Sequence, residues 1–224
     1  MRPVAKAEEQ RRGRPVRVRR DEVIAAATEM LADDGASGFN MRKLADRLGA
    51  STAAVYYHFP GKAQLFIAVL SARAEELPRP RLPVDPRERL VAVVTYLIDV
   101  LHRMPWAAEL LVGGESFGRA AMWILDEFVK AARELGATDP YAGYMYAVVW
   151  RFVLGELMMR RADDERSAAT TDPRPRWDDL ITPDDLLDLP DAQRTVPIWD
   201  DLRAAYRSDV AVAHLIDGLL SGIC

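Results

Sequence analysis

Apolar residues recur along most of the chain at the three- and four-residue spacing of helices, with no strand-like alternation. Val23, Ala27, Met30 and Leu31 fall at i, i+4, i+7 and i+8, which predicts an amphipathic helix from near Asp21 that Gly35 closes. Asn40 is placed to cap a second helix, with Met41, Leu44, Ala45 and Leu48 as its apolar face and Gly49 as its end. Ser51 is placed to cap a third, Thr52 to about His58, which Pro60-Gly61 interrupts. A fourth begins at Lys62, with Leu65, Phe66, Val69 and Leu70 facing inward.

Pro78, Pro80, Pro83 and Pro86 mark a linker, beyond which the pattern is again helical. Arg87 to His102 reads as one amphipathic helix, Pro105 starts a shorter one, and Phe117 to Leu135 and Tyr141 to Arg161 follow. Residues 162–197 break the pattern with five prolines and ten acidic side chains, leaving room for a single short helix at Thr182-Pro183. A last helix from about Asp209 aligns Ala213, Ile216, Leu219, Leu220 and Ile223. The expectation is an all-α chain in three parts. A basic arm without periodicity spans 1–18, a small helical domain spans 19–77, and a larger helical body spans 78–224.

Charge changes the picture more than composition does. The 224 residues are 50% hydrophobic, enough for a real core, and carry a net charge of −4. Residues 1–62 alone carry +4 and the remainder −8, so a basic end sits on an acidic body, as a local nucleic-acid face would require. Six Lys or Arg residues lie in 1–18, as a DNA-tracking arm or as a solubilising tail. That arginine-rich start leads into no apolar run of the signal-peptide kind. The most apolar stretch, Tyr141 to Met159, contains Arg151 and Glu156, which would be costly in a bilayer, so it reads as a buried helix and not a membrane span. Cys224 is the sole cysteine, which excludes a disulfide within the chain and suits the cytoplasm. His58, His102, His214 and Cys224 form no nucleophile–base pattern, so no enzyme is expected. The acidic residues of 163–191 lack metal-ligand spacing and no phosphate-binding glycine loop is present, so neither metal nor cofactor is expected.

The segment from Met41 to Lys62 has the mechanics of a helix-turn-helix. Two short helices that cross steeply need a small residue where they touch, here Ala45, and a turn residue tolerant of positive φ, here Gly49. The second helix needs an N-cap, because its first N–H groups must face phosphate, and Ser51 provides one. Val55 and Phe59, four apart, can anchor that helix, leaving Thr52, Ala53 and Tyr56 outward.

These residues resemble the TetR family of transcriptional regulators. The resemblance rests on Gly35, Met41-Arg42, Leu44-Ala45, Leu48-Gly49, Tyr56, His58-Phe59 and Lys62, and covers roughly residues 19–77. It implies a ligand-responsive repressor that binds a palindromic operator in double-stranded DNA as a homodimer. It further implies that Thr52 and Ala53 face base edges, that Tyr56, Tyr57 and His58 contact or buttress the backbone, that Lys62 grips a phosphate, and that Arg42 reaches the backbone or a base. On the residues alone, Tyr56 and Tyr57 have the alternative of half-buried aromatics, Lys62 that of a solvated lysine, and His58, with equal weight, that of a structural neighbour of Phe59. Ala53 and Ala54 offer only methyl contacts, so DNA shape should carry part of the specificity.

In the body, residues 141–161 and 209–223 match the family's dimerising helices by position and character, with Gly218, Ser221 and Gly222 permitting close approach. Tyr96, His102, Met104, Trp106, Phe117, Met122, Trp123, Tyr144, Met145 and Phe152 stand on helices that should surround the family's cavity, and would suit a small, largely apolar effector.

Overall fold

A computed structural model describes residues 18–114, 118–168 and 175–223. Among these every regular element is helical, and the chain divides into two compact units. The first comprises residues up to Glu76 together with Glu109–Ala120; the second comprises Leu77–Ala108 and Ala121 onward. The arm at 1–17, Phe117 and Cys224 lie outside the described residues.

The first unit is built on α1 (Arg20–Gly38), α2 (Met41–Arg47), α3 (Thr52–His58) and α4 (Lys62–Glu76). At the start of α1, Glu22 reaches back to accept from the Arg19 N–H at 2.8 Å, satisfying a donor that the helix itself cannot. Val23, Ala27, Met30 and Leu31 of α1 are buried with Leu44, Ala45, Val55, Leu65, Val69 and Leu70. As expected, Gly35 closes the long run of α1: its φ of 68° and ψ of 178° break the helix, and only a short kinked turn continues to Gly38. Arg47 ties α2 to α1 through Glu29 at 2.9 Å and Asp33 at 3.4 Å.

In the second unit, α5 (Pro86–His102) is the central rod, packed by α7 (Met122–Glu134), α8 (Asp139–Ala168) and α11 (Ser208–Leu220). The second-unit part of α6 (Pro105–Val112) ends at Ala108, and the helix continues into the first unit from Glu109. The start of α5 is fixed by Asp85, whose side chain accepts from the Glu88 N–H at 2.8 Å, and by Pro86 at the first helical position. Leu90, Val94, Ile98 and Leu101 of α5 are fully buried, facing Phe128 of α7, Met145, Val149 and Val153 of α8, and Ile216 of α11. Buried Arg89 anchors the proline linker to this core: it donates to the Pro83 and Val84 carbonyls and, through both terminal nitrogens, to Glu134.

Three stretches differ from the pattern reading. The helix expected over Phe117 to Leu135 is α-helical from Met122 to Glu134, and the residues just ahead of it, Gly118–Ala121, form a 3-10 turn. α8 continues past Arg161 to Ala168, where Arg161–Glu165 and Arg166–Asp163 pairs at helical spacing support an otherwise polar end. Beyond it the chain is not a loop with one short helix. It forms 3-10 turns at Asp178–Leu180, Pro183–Leu186 and Val196–Ile198, then α9 (Pro190–Thr195) and α10 (Trp199–Ala205).

Candidate nucleic-acid interface

The turn between α2 and α3 forms because Gly49 takes φ 61°, a conformation that a Cβ disfavours, allowing the Ala50 N–H to close on the Ala45 carbonyl at 3.0 Å. The side chain of Asn40 accepts from the Arg42 N–H at 2.7 Å, and Ser51 Oγ accepts from the Ala54 N–H at 3.2 Å. Each short helix therefore starts on a satisfied donor. Val55 and Phe59 are buried, fixing the inner face of α3. Its outer face is Ala53 and Tyr56, both exposed, with Thr52 partly so and Tyr57 84% exposed. A tyrosine that solvated, on a seven-residue helix, is not there to fill a core.

Two further site residues have side-chain partners inside the protein. His58 Nε2 lies 2.8 Å from the Val18 carbonyl oxygen, so its ring pins the chain entering α1 against the end of α3. Lys62 Nζ donates to the Ala36 and Phe39 carbonyls at 3.1 and 3.3 Å and sits 5.0 Å from the Phe66 ring centroid. It neutralises carbonyls that α1 leaves open at its C-terminal end, the place where a cation is favoured. Arg42 and Lys43 on α2 are exposed. Two contributors carry no local sequence signal, since each contact spans dozens of residues. The Arg20 guanidinium lies 4.9 Å from the Phe59 ring centroid, which joins the start of α1 to the end of α3. The Glu109 carboxylate accepts from the Ala36 N–H at 3.1 Å.

The expected effector residues are scattered in environment. Met104, Trp106 and Met145 are buried, while Tyr96, His102, Trp123 and Phe152 are partly exposed. Met122 and Tyr144 are 50% and 58% exposed, and Phe117 is outside the described residues. Tyr96 and Trp123 do come together, with ring centroids 5.7 Å apart, and the Tyr96 hydroxyl donates to the Pro78 carbonyl at 2.9 Å. Partial burial pushes the Tyr96 phenol above its ordinary range. Tyr96 also lines a cavity of ≈ 450 Å³ between α5 and α11, with Thr95 and Ala213. Among the described residues no three His, Cys, Asp or Glu side chains are grouped to hold a metal ion, and no single helix is long and apolar enough to cross a membrane.

Comparison with known proteins agrees with this geometry over both units. The family described as bacterial regulatory proteins, tetR family, matches residues 23–69, and that described as tetracyclin repressor-like, C-terminal domain, matches residues 79–221. An HTH-type transcriptional regulator of Saccharopolyspora erythraea is 34% identical over 162 residues, which are 67% of this chain and 64% of that protein. The HTH-type transcriptional repressor DrrR1 of Streptomyces coeruleorubidus is 26% identical over 156 residues, 68% of this chain and 58% of the repressor. The chain thus spans less than two thirds of the length of these relatives. Among solved structures, BioQ with its double-stranded DNA operator superposes with a TM-score of 0.61 at 24% identity, covering 91% of this chain and 99% of BioQ. ActR of Streptomyces coelicolor in complex with (S)-DNPA gives 0.63 at 20% identity, covering 92% and 99%. Those two are likenesses of fold. With one family description on the helix-turn-helix and another on most of the helical body, the chain belongs to the tetR family of bacterial regulatory proteins.

Proposed function

We propose that this chain is a cytoplasmic transcriptional repressor, not an enzyme, that binds a palindromic operator as a homodimer and is released by a small, largely apolar molecule. The observation that carries the reading is α3, a short helix anchored by Val55 and Phe59 that exposes Ala53, Tyr56 and Tyr57. In this reading Thr52 and Ala53 touch base edges, and Arg42, Ser51, Tyr56, Tyr57 and the remaining N–H of Lys62 touch phosphate, while His58 positions α3 through Val18. One such helix binds weakly; two held about 34–36 Å apart read successive major grooves.

The dimer is assigned to residues 141–161 and 209–223. One face of α8 buries Ala142, Met145, Val149 and Val153, whereas Gly143, Tyr144, Gly155, Met158 and Met159, with Arg151 among them, are exposed in the single chain. Exposed apolar residues aligned on one helix mark a face that a second copy can bury. The effector is assigned to the surroundings of Tyr96 and Trp123. It acts by its differential affinity for the DNA-binding and released states. BioQ with its operator and ActR with (S)-DNPA, likenesses in fold, support a DNA partner and a small-molecule partner respectively.

The test is electrophoretic mobility of duplex DNA from upstream of the protein's own gene, with wild type and with the pair Thr52→Ala and Tyr56→Ala. Retardation by wild type and its loss in the pair supports the reading; wild type that retards no fragment of a genomic library overturns it. Reporter output that rises when the protein is supplied would make it an activator on the same DNA contacts.

A further inference from the structure

The end of α8 and residues 175–208 line a cavity that the family reading does not use. It measures ≈ 890 Å³, inside the range of small-molecule sites. Four guanidinium groups line it (Arg160, Arg166, Arg176 and Arg203) against two carboxylates, Glu156 and Asp163. Its walls carry two indoles, Trp177 and Trp199, in edge contact with ring centroids 5.3 Å apart and planes at 70°.

The polar groups are unevenly satisfied, and that decides what the cavity suits. Glu156 is saturated: it accepts from Arg160 Nε at 2.9 Å, from the Tyr206 hydroxyl at 2.7 Å and from Ser208 Oγ. Arg203 is held by Asp178 and Asp200. Asp163, by contrast, serves two cations through one atom: Arg166 at 2.7 Å and Arg176 at 3.1 Å both donate to its Oδ1. Two guanidinium groups converge on a single carboxylate oxygen, so a second anion at that point would balance their charge and take up planar N–H groups. Trp177 follows Arg176 directly in the chain and is 51% exposed, an indole face open beside that charge.

We propose that this cavity is a second small-molecule site, selective for a planar aromatic acid whose anionic group pairs with Arg166 and Arg176 and whose ring packs on Trp177 and Trp199. Neutral aromatics have the same stacking surface but leave the two guanidinium groups sharing the single Asp163 carboxylate, so the acid is preferred. The inference is independent of operator binding and of the effector site assigned near Tyr96.

Calorimetric titration of the full chain with 2-naphthoate and with 2-naphthamide tests it. The expected result is naphthoate binding at least tenfold tighter than the amide. Arg166→Gln with Arg176→Gln should bring naphthoate to the level of the amide and leave the amide unchanged, whereas Trp199→Leu should weaken both. Arg176→Gln alone, which spares α8, should give an intermediate loss, and unchanged thermal melting would confirm folding. Equal affinity for acid and amide, or naphthoate binding that survives the double substitution, overturns the proposal. So does a wild type that binds neither probe while a monomeric variant binds both, which would make the cavity a seat for the second copy of the chain.

Discussion

The carboxylate of Glu109 holds the backbone N–H of Ala36 at 3.1 Å, one residue after Gly35 bends α1 with φ 68°. A bent helix exposes N–H groups that need an acceptor, and here the acceptor comes from α6, 73 residues away in the chain. Removing it with Glu109→Ala should cost about 1–2 kcal/mol, the penalty for a partly buried donor left unpaired, and Glu109→Gln should cost less because an amide oxygen can still accept. Urea unfolding monitored by circular dichroism reads the difference. Equal midpoints for Glu109→Ala and wild type would show that the contact carries no stability.

Gly35 itself has backbone angles that are essentially reserved for glycine, since ψ is 178° at positive φ. A Cβ there would also meet the Glu109 carboxylate at 3.4 Å, an ordinary contact, so strain and not collision decides the outcome. Gly35→Ala should destabilise by about 1–3 kcal/mol. In the same unfolding assay, a neutral or stabilising effect would mean that the bend relaxes freely into a straight helix.

Lys62 makes separable predictions about structure and DNA. Its Nζ uses two donors on the Ala36 and Phe39 carbonyls, and one N–H remains for a phosphate. Lys62→Met should therefore lower the melting temperature, and also reduce the slope of log affinity against log salt by about 0.9 for each phosphate that the lysine neutralises. A lower melting temperature with an unchanged slope would remove Lys62 from the interface and leave it a purely structural cap.

How far the sequence carries depends on the range of the forces involved. Asn40, Ser51 and Gly49 act within four residues of themselves, so the caps and turn of the helix-turn-helix are readable from spacing and appear in the structure as expected. The inward positions Val55 and Phe59 follow from helical period for the same reason. What spacing cannot show is a partner far away in sequence: His58 with Val18, Lys62 with Ala36, Glu109 with Ala36. The polar segment beyond α8 is least legible. Its order rests on ion pairs such as Arg203 with Asp178 and on the Trp177–Trp199 contact, not on an apolar stripe. Gly222 is misleading: the space a Cβ would fill belongs to Tyr141 of the same chain, whose hydroxyl donates to the Leu219 carbonyl at 2.8 Å.

Glu156 gives the body a pH signature. Burial pushes its carboxyl up, but hydrogen bonds from Ser208, Tyr206 and Arg160 outweigh this and hold it below the ordinary carboxylate range. A carboxyl depressed on folding contributes stability that is complete above its unfolded value, about 4.3, and that is lost as pH falls through the lower folded value. Partial burial and the bond to Glu156 push the Tyr206 phenol up to about 12, so the phenol stays a donor throughout that window. Glu156→Gln should therefore be less stable than wild type at pH 7, and the gap should close as pH drops from about 5 toward 3. Melting temperatures across that range that run parallel for the two proteins would place the acid response elsewhere.

The assigned dimer is tested at Gly218, on the exposed side of α11, where a Cβ would meet no atom of its own chain within 4 Å. Within one chain, Gly218→Leu is therefore tolerated, and it gains helix propensity of up to about 1 kcal/mol. Across an α8–α11 interface packed at the density of a protein interior, a leucine has no such space. The variant should then keep wild-type circular dichroism at 222 nm while sedimenting as a single chain, and it should lose operator retardation because one α3 cannot hold a palindrome alone. Met158→Glu, on the exposed face of α8, should act in the same direction by placing a charge in an apolar contact. If both variants sediment as dimers and still retard DNA, the two-fold contact lies on another face of the molecule, and the exposed methionines of α8 need a different partner.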